Sequence, residues 1–128
     1  MDTATAVMER VYEVLSGINA NTSPSYPPGL FGPGEPPALP ITVYEVETAP
    51  ETVLQRRERR TRVTVRVDHF AATISSAAQL AAQAREAMLA IIPACDMDTP
   101  GRVASGLYRR SQRFTGLLDT QTGIIYER

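Results

Sequence analysis

Residues 60–70 read Arg-Thr-Arg-Val-Thr-Val-Arg-Val-Asp-His-Phe, and the fold turns on how they are read. Val63, Val65, Val67 and His69 share one face of an extended chain, while Arg62, Thr64, Arg66 and Asp68 share the other. This period-two alternation predicts a strand over Arg60–Phe70 with one face toward a core. Directly after it, Thr73 to Ile92 follows a helical period and stops at Pro93, with Thr73 or Ser75 as cap. Ser75, Ser76, Gln79, Gln83 and Glu86 form a narrow polar stripe on that helix. The opposite side holds Ile74, Ala77, Leu80, Ala81, Ala84, Met88, Ile91 and Ile92, widened by Ala78, Ala82 and Leu89. An apolar arc of roughly 200° exceeds what one core face needs. Either a second subunit covers the excess, or the alanines sit half exposed.

Upstream, Ile41–Glu47 is rich in β-branched residues and bounded by Pro40 and Pro50, which predicts a partner strand. Residues 48–59 connect the two strands as a hairpin and carry Arg56, Arg57 and Arg59. Residues 21–40 hold seven prolines and three glycines, a composition that argues against both helix and paired strand. Tyr26, Leu30 and Phe31 give this segment apolar anchors. It reads as a plain connector, an arm against a neighbouring subunit, or a polyproline ligand. From Thr3 to Ser16, Ala4, Val7, Met8, Val11, Val14, Leu15 and Ile18 mark an amphipathic helix, capped by Asp2 or Thr3 and closed by Gly17. Downstream, Arg102–Phe114 has β character. A turn follows around Asp119–Gly123, and a short strand spans Ile124–Glu127. The order implies an α+β fold: a mostly antiparallel sheet with two helices on one face, plus the long proline-rich arm. The 128 residues suffice for one domain, 1–128.

Charge divides along the chain. The net charge is −1, and every basic residue is arginine. Residues 1–51 carry one arginine against seven acids, and residues 52–128 carry twelve against seven. Six arginines (Arg56, Arg57, Arg59, Arg60, Arg62 and Arg66) fall within the twelve residues 55–66. Such a cluster serves a subunit interface or a channel lining, a solvated surface, or sequence-independent nucleic-acid binding. No aromatic residue interleaves it, as single-strand binding would favour.

The counts limit chemistry. Cys95 is the single cysteine and His69 the single histidine, which excludes an intrachain disulfide and a histidine-rich metal cluster. No phosphate loop, dinucleotide fingerprint or zinc-protease motif occurs. On the valine face, His69 reads as a hydrogen-bonded buried or edge residue. No catalytic, cofactor-binding or metal-binding residue is assigned, and the chain is not expected to be an enzyme. The first residues do not read as a signal peptide, and no run reaches the roughly 18–20 apolar residues of a membrane span. A soluble protein from a reducing compartment is expected.

Taken together, several stretches resemble the phage tail terminator (tail completion, minor tail protein) family. They are the valine strand into Asp68-His69-Phe70, the alanine-rich helix with Ala81, Ala84 and Met88-Leu89, and Ser111–Phe114. Leu118-Asp119 and Gly123 leading into Ile124-Ile125-Tyr126-Glu127-Arg128, the opening helix 4–18 and the lead-in Leu39-Pro40-Ile41 complete the pattern. The resemblance implies a virion structural protein assembled in the host cytoplasm as a homohexameric ring. The ring would cap the head-proximal end of the tail tube, end polymerisation and provide the docking surface for the neck. Its implied partners are the major tail tube protein and a head–tail connector or stopper, with DNA passing through the lumen without specific recognition and no membrane involved. Under that reading the arginines of the cluster face a partner or the lumen, and Ala78, Ala82, Leu89, Tyr26, Leu30 and Phe31 are candidate subunit contacts. Another neck component, or an arginine-rich nucleic-acid module, is the alternative.

Overall fold

The alternation of residues 60–70 is expressed as the central strand of one sheet. The computed structural model describes residues 3–31, 33–50, 60–104, 106–119 and 123–126. Along the chain come α1 (Thr3–Ile18), β1 (Thr22–Ser23), α2 (Pro28–Phe31), β2 (Ile41–Pro50), β3 (Arg60–Ala71), α3 (Ile74–Met88), β4 (Ala94–Ala104), β5 (Leu107–Asp119) and β6 (Ile125–Tyr126). The strand order is β1-β2-β3-β5-β4, with β6 also on β5. Only β1–β2 is parallel. The protein is therefore α+β with a mostly antiparallel sheet. It has three helices among the described residues rather than the two expected.

Register explains the core. Ile41 pairs with Phe70 and Val46 with Val65, while Val65 also faces Phe114 of β5 and Val67 faces Gln112. The inward valines 63, 65 and 67 meet Phe114 and Leu118, Val7, Val11 and Leu15 of α1, and Ala84 and Met88 of α3. A second, smaller cluster joins Leu30 to Ile41, Val43 and Phe70, with Leu107 at its margin. By strand parity Ile41, Val43 and Phe70 lie on the opposite face from the valines. Residues 67–71 are consequently buried on both faces, and Asp68, expected on the solvent side, is buried too.

Several expected boundaries move, each for a local reason. Residues 21–40 contain both a strand and a helix. Thr22 and Ser23 precede the first proline and pair with Thr42 and Val43. Pro28 stands at the first position of the single-turn α2, where its missing N–H costs nothing. α3 is capped by Thr73, whose hydroxyl accepts from the Ser76 N–H at 3.1 Å. It ends at Met88, four residues before the expected Ile92. Pro93 disfavours a helical Ile92, and the chain leaves through turns in which the Ile91 and Ile92 N–H groups both donate to Met88 O. Arg102–Phe114 is not one strand, because it divides at a hairpin with Gly106 at φ 74°. β4 starts well upstream at Ala94, and β5 runs unbroken to Asp119. β4 is an edge strand interrupted at Cys95/Met97 and Arg102/Ala104. Such a position tolerates Pro100 and Gly101. The expected turn ends with the Gly123 N–H donating to Asp119 O at 2.8 Å.

α1 continues through Gly17 instead of closing there. A methyl group built at Gly17 would meet nothing within 4 Å. Gly17→Ala is therefore expected to raise unfolding stability by about 0.5–1 kcal/mol, through the entropy of the unfolded chain and better helix propensity. A denaturant titration would read this as a higher midpoint at constant slope.

Candidate functional site

Strand parity places Arg60, Arg62 and Arg66 on the sheet face away from the valine core, and all three are exposed. Arg56, Arg57 and Arg59 lie outside the described residues. In register, Arg66 has Glu45 on one side and Arg113 on the other, and Thr64 has Glu47 and Thr115. Glu45 and Glu47 are also exposed. This part of the face is thus open and of mixed sign.

The two arginine-bearing strands differ in how their charge is used. On β5, Arg109 pairs with Asp68 at 2.9 Å, Arg110 with Asp98 at 2.5 Å and Arg113 with Asp96 at 2.7 Å. On β3, none of Arg60, Arg62 and Arg66 forms an ion pair or side-chain hydrogen bond among the described residues. The arginines of β5 are committed to their own chain, whereas those of β3 are available.

Asp68 gathers the residues that hold segment 24–31 to the sheet. Its carboxylate accepts from Arg109 Nε at 3.2 Å and Nη2 at 2.9 Å, from Ser111 Oγ at 2.6 Å, and from the Tyr26 hydroxyl. Burial raises the Asp68 pKa, but the hydrogen bonds from Arg109, Ser111 and Tyr26 and the charge of Arg109 outweigh it. The carboxyl is held below its ordinary value. The Tyr26 phenol is pushed up to about 12 by burial and by its bond to Asp68. Phe31 and Tyr26 lie against Phe70 with ring centroids 5.4 and 6.1 Å away, and the Arg109 guanidinium stands 5.5 Å from the Phe70 centroid. Of the three candidate contacts in this segment, Leu30 is spent in the chain's own core, while Tyr26 and Phe31 keep about half their surface exposed.

A second polar chain crosses the core. His69 is buried, with Nδ1 3.0 Å from Thr42 Oγ1 and Nε2 2.9 Å from Gln112 Oε1. The Gln112 amide nitrogen donates to Ala81 O at 2.9 Å and to Asp98 Oδ2 at 3.2 Å. Its Oε1 is therefore an acceptor, which puts the imidazole hydrogen on Nε2 and leaves Nδ1 to accept from Thr42. Thr42 Oγ1 accepts in turn from Asn19 Nδ2 at 3.1 Å. Burial draws the His69 pKa below its usual value, against the opposing pull of Gln112, Asp68 and Asp98. With every donor used, the neutral ring works as a brace and not as a proton acceptor for solvent.

Among the candidates on α3, Ala78 is half-buried while Ala82 and Leu89 are exposed. They line a groove against Arg85, Asp98 and Arg110. Only Ala77, Ala81, Ala84 and Met88 of that helix are buried. The Cys95 thiol donates to Met97 O at 3.4 Å, and burial pushes its pKa up. Among the described residues, no group of three His, Cys, Asp or Glu side chains is placed to hold a metal ion. Nor, among the described residues, is any helix long and apolar enough to cross a membrane. Sequence reading assigned no site role to Arg109, Ser111, Gln112 or Thr42. A signal existed for Gln112, since parity in β5 places it inward with Phe114 and Leu118, where an amide requires buried partners. No protein-family model matches this chain, and no curated protein sequence matches it.

Proposed function

We propose that this chain is a virion structural subunit of the tail-terminator type. It forms a ring, by the resemblance a hexamer, on the head-proximal end of a tail tube. It stops addition of tube protein and offers a surface to a connector or stopper, while DNA passes through the lumen unread. In this reading the two long helices form a layer on one face of the sheet, and residues 21–40 serve as an arm at a subunit boundary. The observation that carries the proposal is the division of the arginines. Those of β5 are neutralised within the chain, whereas Arg60, Arg62 and Arg66 stand exposed on the outer sheet face and form no ion pair among the described residues. A subunit that works by stoichiometric contact needs such a face and no catalytic group.

The second reading, a nucleic-acid module, rests on the same three arginines. Glu45 and Glu47 set negative charge into that face. A polyanion meets repulsion there, while a protein surface of mixed sign does not.

The test is native mass spectrometry of the chain alone and mixed with its tail tube protein, paired with microscopy of tails made without the gene. Rings or capped tubes, together with overlong or headless tails in the deletion, are expected. Monomers in both samples, with tails of normal length joined to heads, would refute the reading.

A further inference from the structure

We propose that copies of this chain join head to tail, with the Glu9–Tyr12–Glu13 stripe of α1 on one copy docking on the Arg60–Arg62–Arg66 row of β3 on the next. This inference rests on the ring reading and specifies its contact.

The two patches are complementary in charge and in spacing. Glu9 and Glu13, four residues apart, share one exposed face of α1, and exposed Tyr12, three residues after Glu9, lies on its flank. Glu9 and Glu13 form no ion pair among the described residues, and their neighbour Arg10 donates to Gly123 O instead, so the two like charges one turn apart repel without a bound cation. Their Cα atoms are separated by about 6 Å along the helix. Arg60 and Arg62, alternate residues of an extended strand, are about 6.6 Å apart. One helix turn thus matches one strand repeat, and two carboxylates can meet two guanidiniums in register. Tyr12 beside the acids packs one side against Tyr44, with ring centroids 6.4 Å apart, and stays 44% exposed, which leaves aromatic surface that stacks well on arginine. On the sheet, Asp119 stands across from Arg60, Glu45 across from Arg66 and Glu47 across from Thr64, and these acids limit how much negative charge the row accepts. This favours a short acidic stripe over a long polyanion.

Placement supports the same pairing. Val7, Val11 and Leu15 of α1 pack on Val63, Val65 and Val67. The acidic stripe points away from the sheet on that side, and the arginine row points away on the other. Patches on opposite sides of one molecule cannot satisfy each other within a two-fold dimer through a single shared surface. They form a heterologous contact, which gives a ring when the rotation between copies closes on itself and an open filament when it does not. The division of charge along the sequence, acids first and arginines after, then follows from which element faces which neighbour.

The test uses the full chain and two exposed-site variants, Glu9→Arg/Glu13→Arg and Arg60→Glu/Arg62→Glu. Sedimentation is run in low and moderate salt, and thermal melts check that each variant folds. Each variant alone is expected to self-associate at least about tenfold more weakly than wild type, since attraction becomes repulsion at two paired positions. An equimolar mixture of the two is expected to recover assembly, in alternating copies, because each reversed patch then meets a reversed partner. If wild type assembles and neither variant is weakened, or the mixture fails to recover, the contact is wrong while the ring reading stands. The contact is equally overturned if the arginine variant loses retention of duplex DNA but assembles normally. If wild type remains monomeric both alone and with tube protein, the ring reading itself fails, and the contact with it.

Discussion

Asp68→Ala is expected to lower unfolding stability by about 2–4 kcal/mol and to expose the Phe31 region to chymotrypsin under native conditions. Four hydrogen bonds from three residues converge on this carboxylate, two of them in a bidentate fork from Arg109. Removing it strands the Ser111 and Tyr26 hydroxyls and leaves a guanidinium that is only partly solvated. The lower part of the range applies if water reaches Arg109, whose side chain is 39% exposed. Local release follows from how little else holds the segment. Leu30 is its one buried side chain, and Tyr26 and Phe31 cover Phe70 from outside. At its neck, Asn21 Nδ2 donates to Ala38 O at 2.7 Å and Pro40 O at 3.1 Å. The base therefore stays closed while the tip lifts. Tyr26→Phe removes one donor and should cost about 1 kcal/mol. Because Asp68 has a lowered native pKa, its contribution is complete above the unfolded value near 4. It is lost as pH falls below that value and through the native pKa. Unchanged stability and an unchanged cleavage pattern in Asp68→Ala would show that the node carries no weight.

What could be read from the sequence followed from how strongly local rules and burial agreed. β3 was legible because its alternation, its β-branched residues and its core face all point the same way. The start of α3 was legible from Thr73. β4 was not, because Ala94–Ala104 contains two aspartates, a proline and a glycine, and an edge strand bonded on one side needs little intrinsic propensity. The double burial of Asp68–Phe70 was hidden for a different reason. Its cover comes from Tyr26, Leu30 and Phe31, some 40 residues away, and nothing in the composition of residues 21–40 states which surface they meet. The arginines show the same limit. Counting shows twelve in residues 52–128, but only geometry separates Arg109, Arg110 and Arg113, spent on Asp68, Asp98 and Asp96, from Arg60, Arg62 and Arg66.

Protonation of His69 should be the dominant source of acid sensitivity between neutrality and pH 5. The native ring is neutral and buried, with its pKa drawn below the usual 6.5. The unfolded chain takes up a proton near 6.5, which the native state declines until lower pH. The stabilisation is therefore whole above about 6.5 and falls as pH drops from there toward the native pKa. The slope cannot exceed about 1.4 kcal/mol per pH unit, the limit for one proton. His69→Gln should flatten this slope, leaving the separate loss from Asp68 below pH 4. Gln112→Leu tests the brace directly. It removes the acceptor for His69 Nε2–H, stranding that buried donor on β3, and it takes away the amide bonds to Ala81 O of α3 and to Asp98 of β4, which keeps Arg110. A loss of about 2–4 kcal/mol is expected at pH 7. His69→Leu/Gln112→Leu should cost less than the two single losses added, because the His69–Gln112 pair is lost once and its two groups are not each left orphaned. Strict additivity in that cycle would mean the histidine and the glutamine do not act as a unit, and a wild-type stability flat from pH 7 to 5 would mean the native ring is not held neutral.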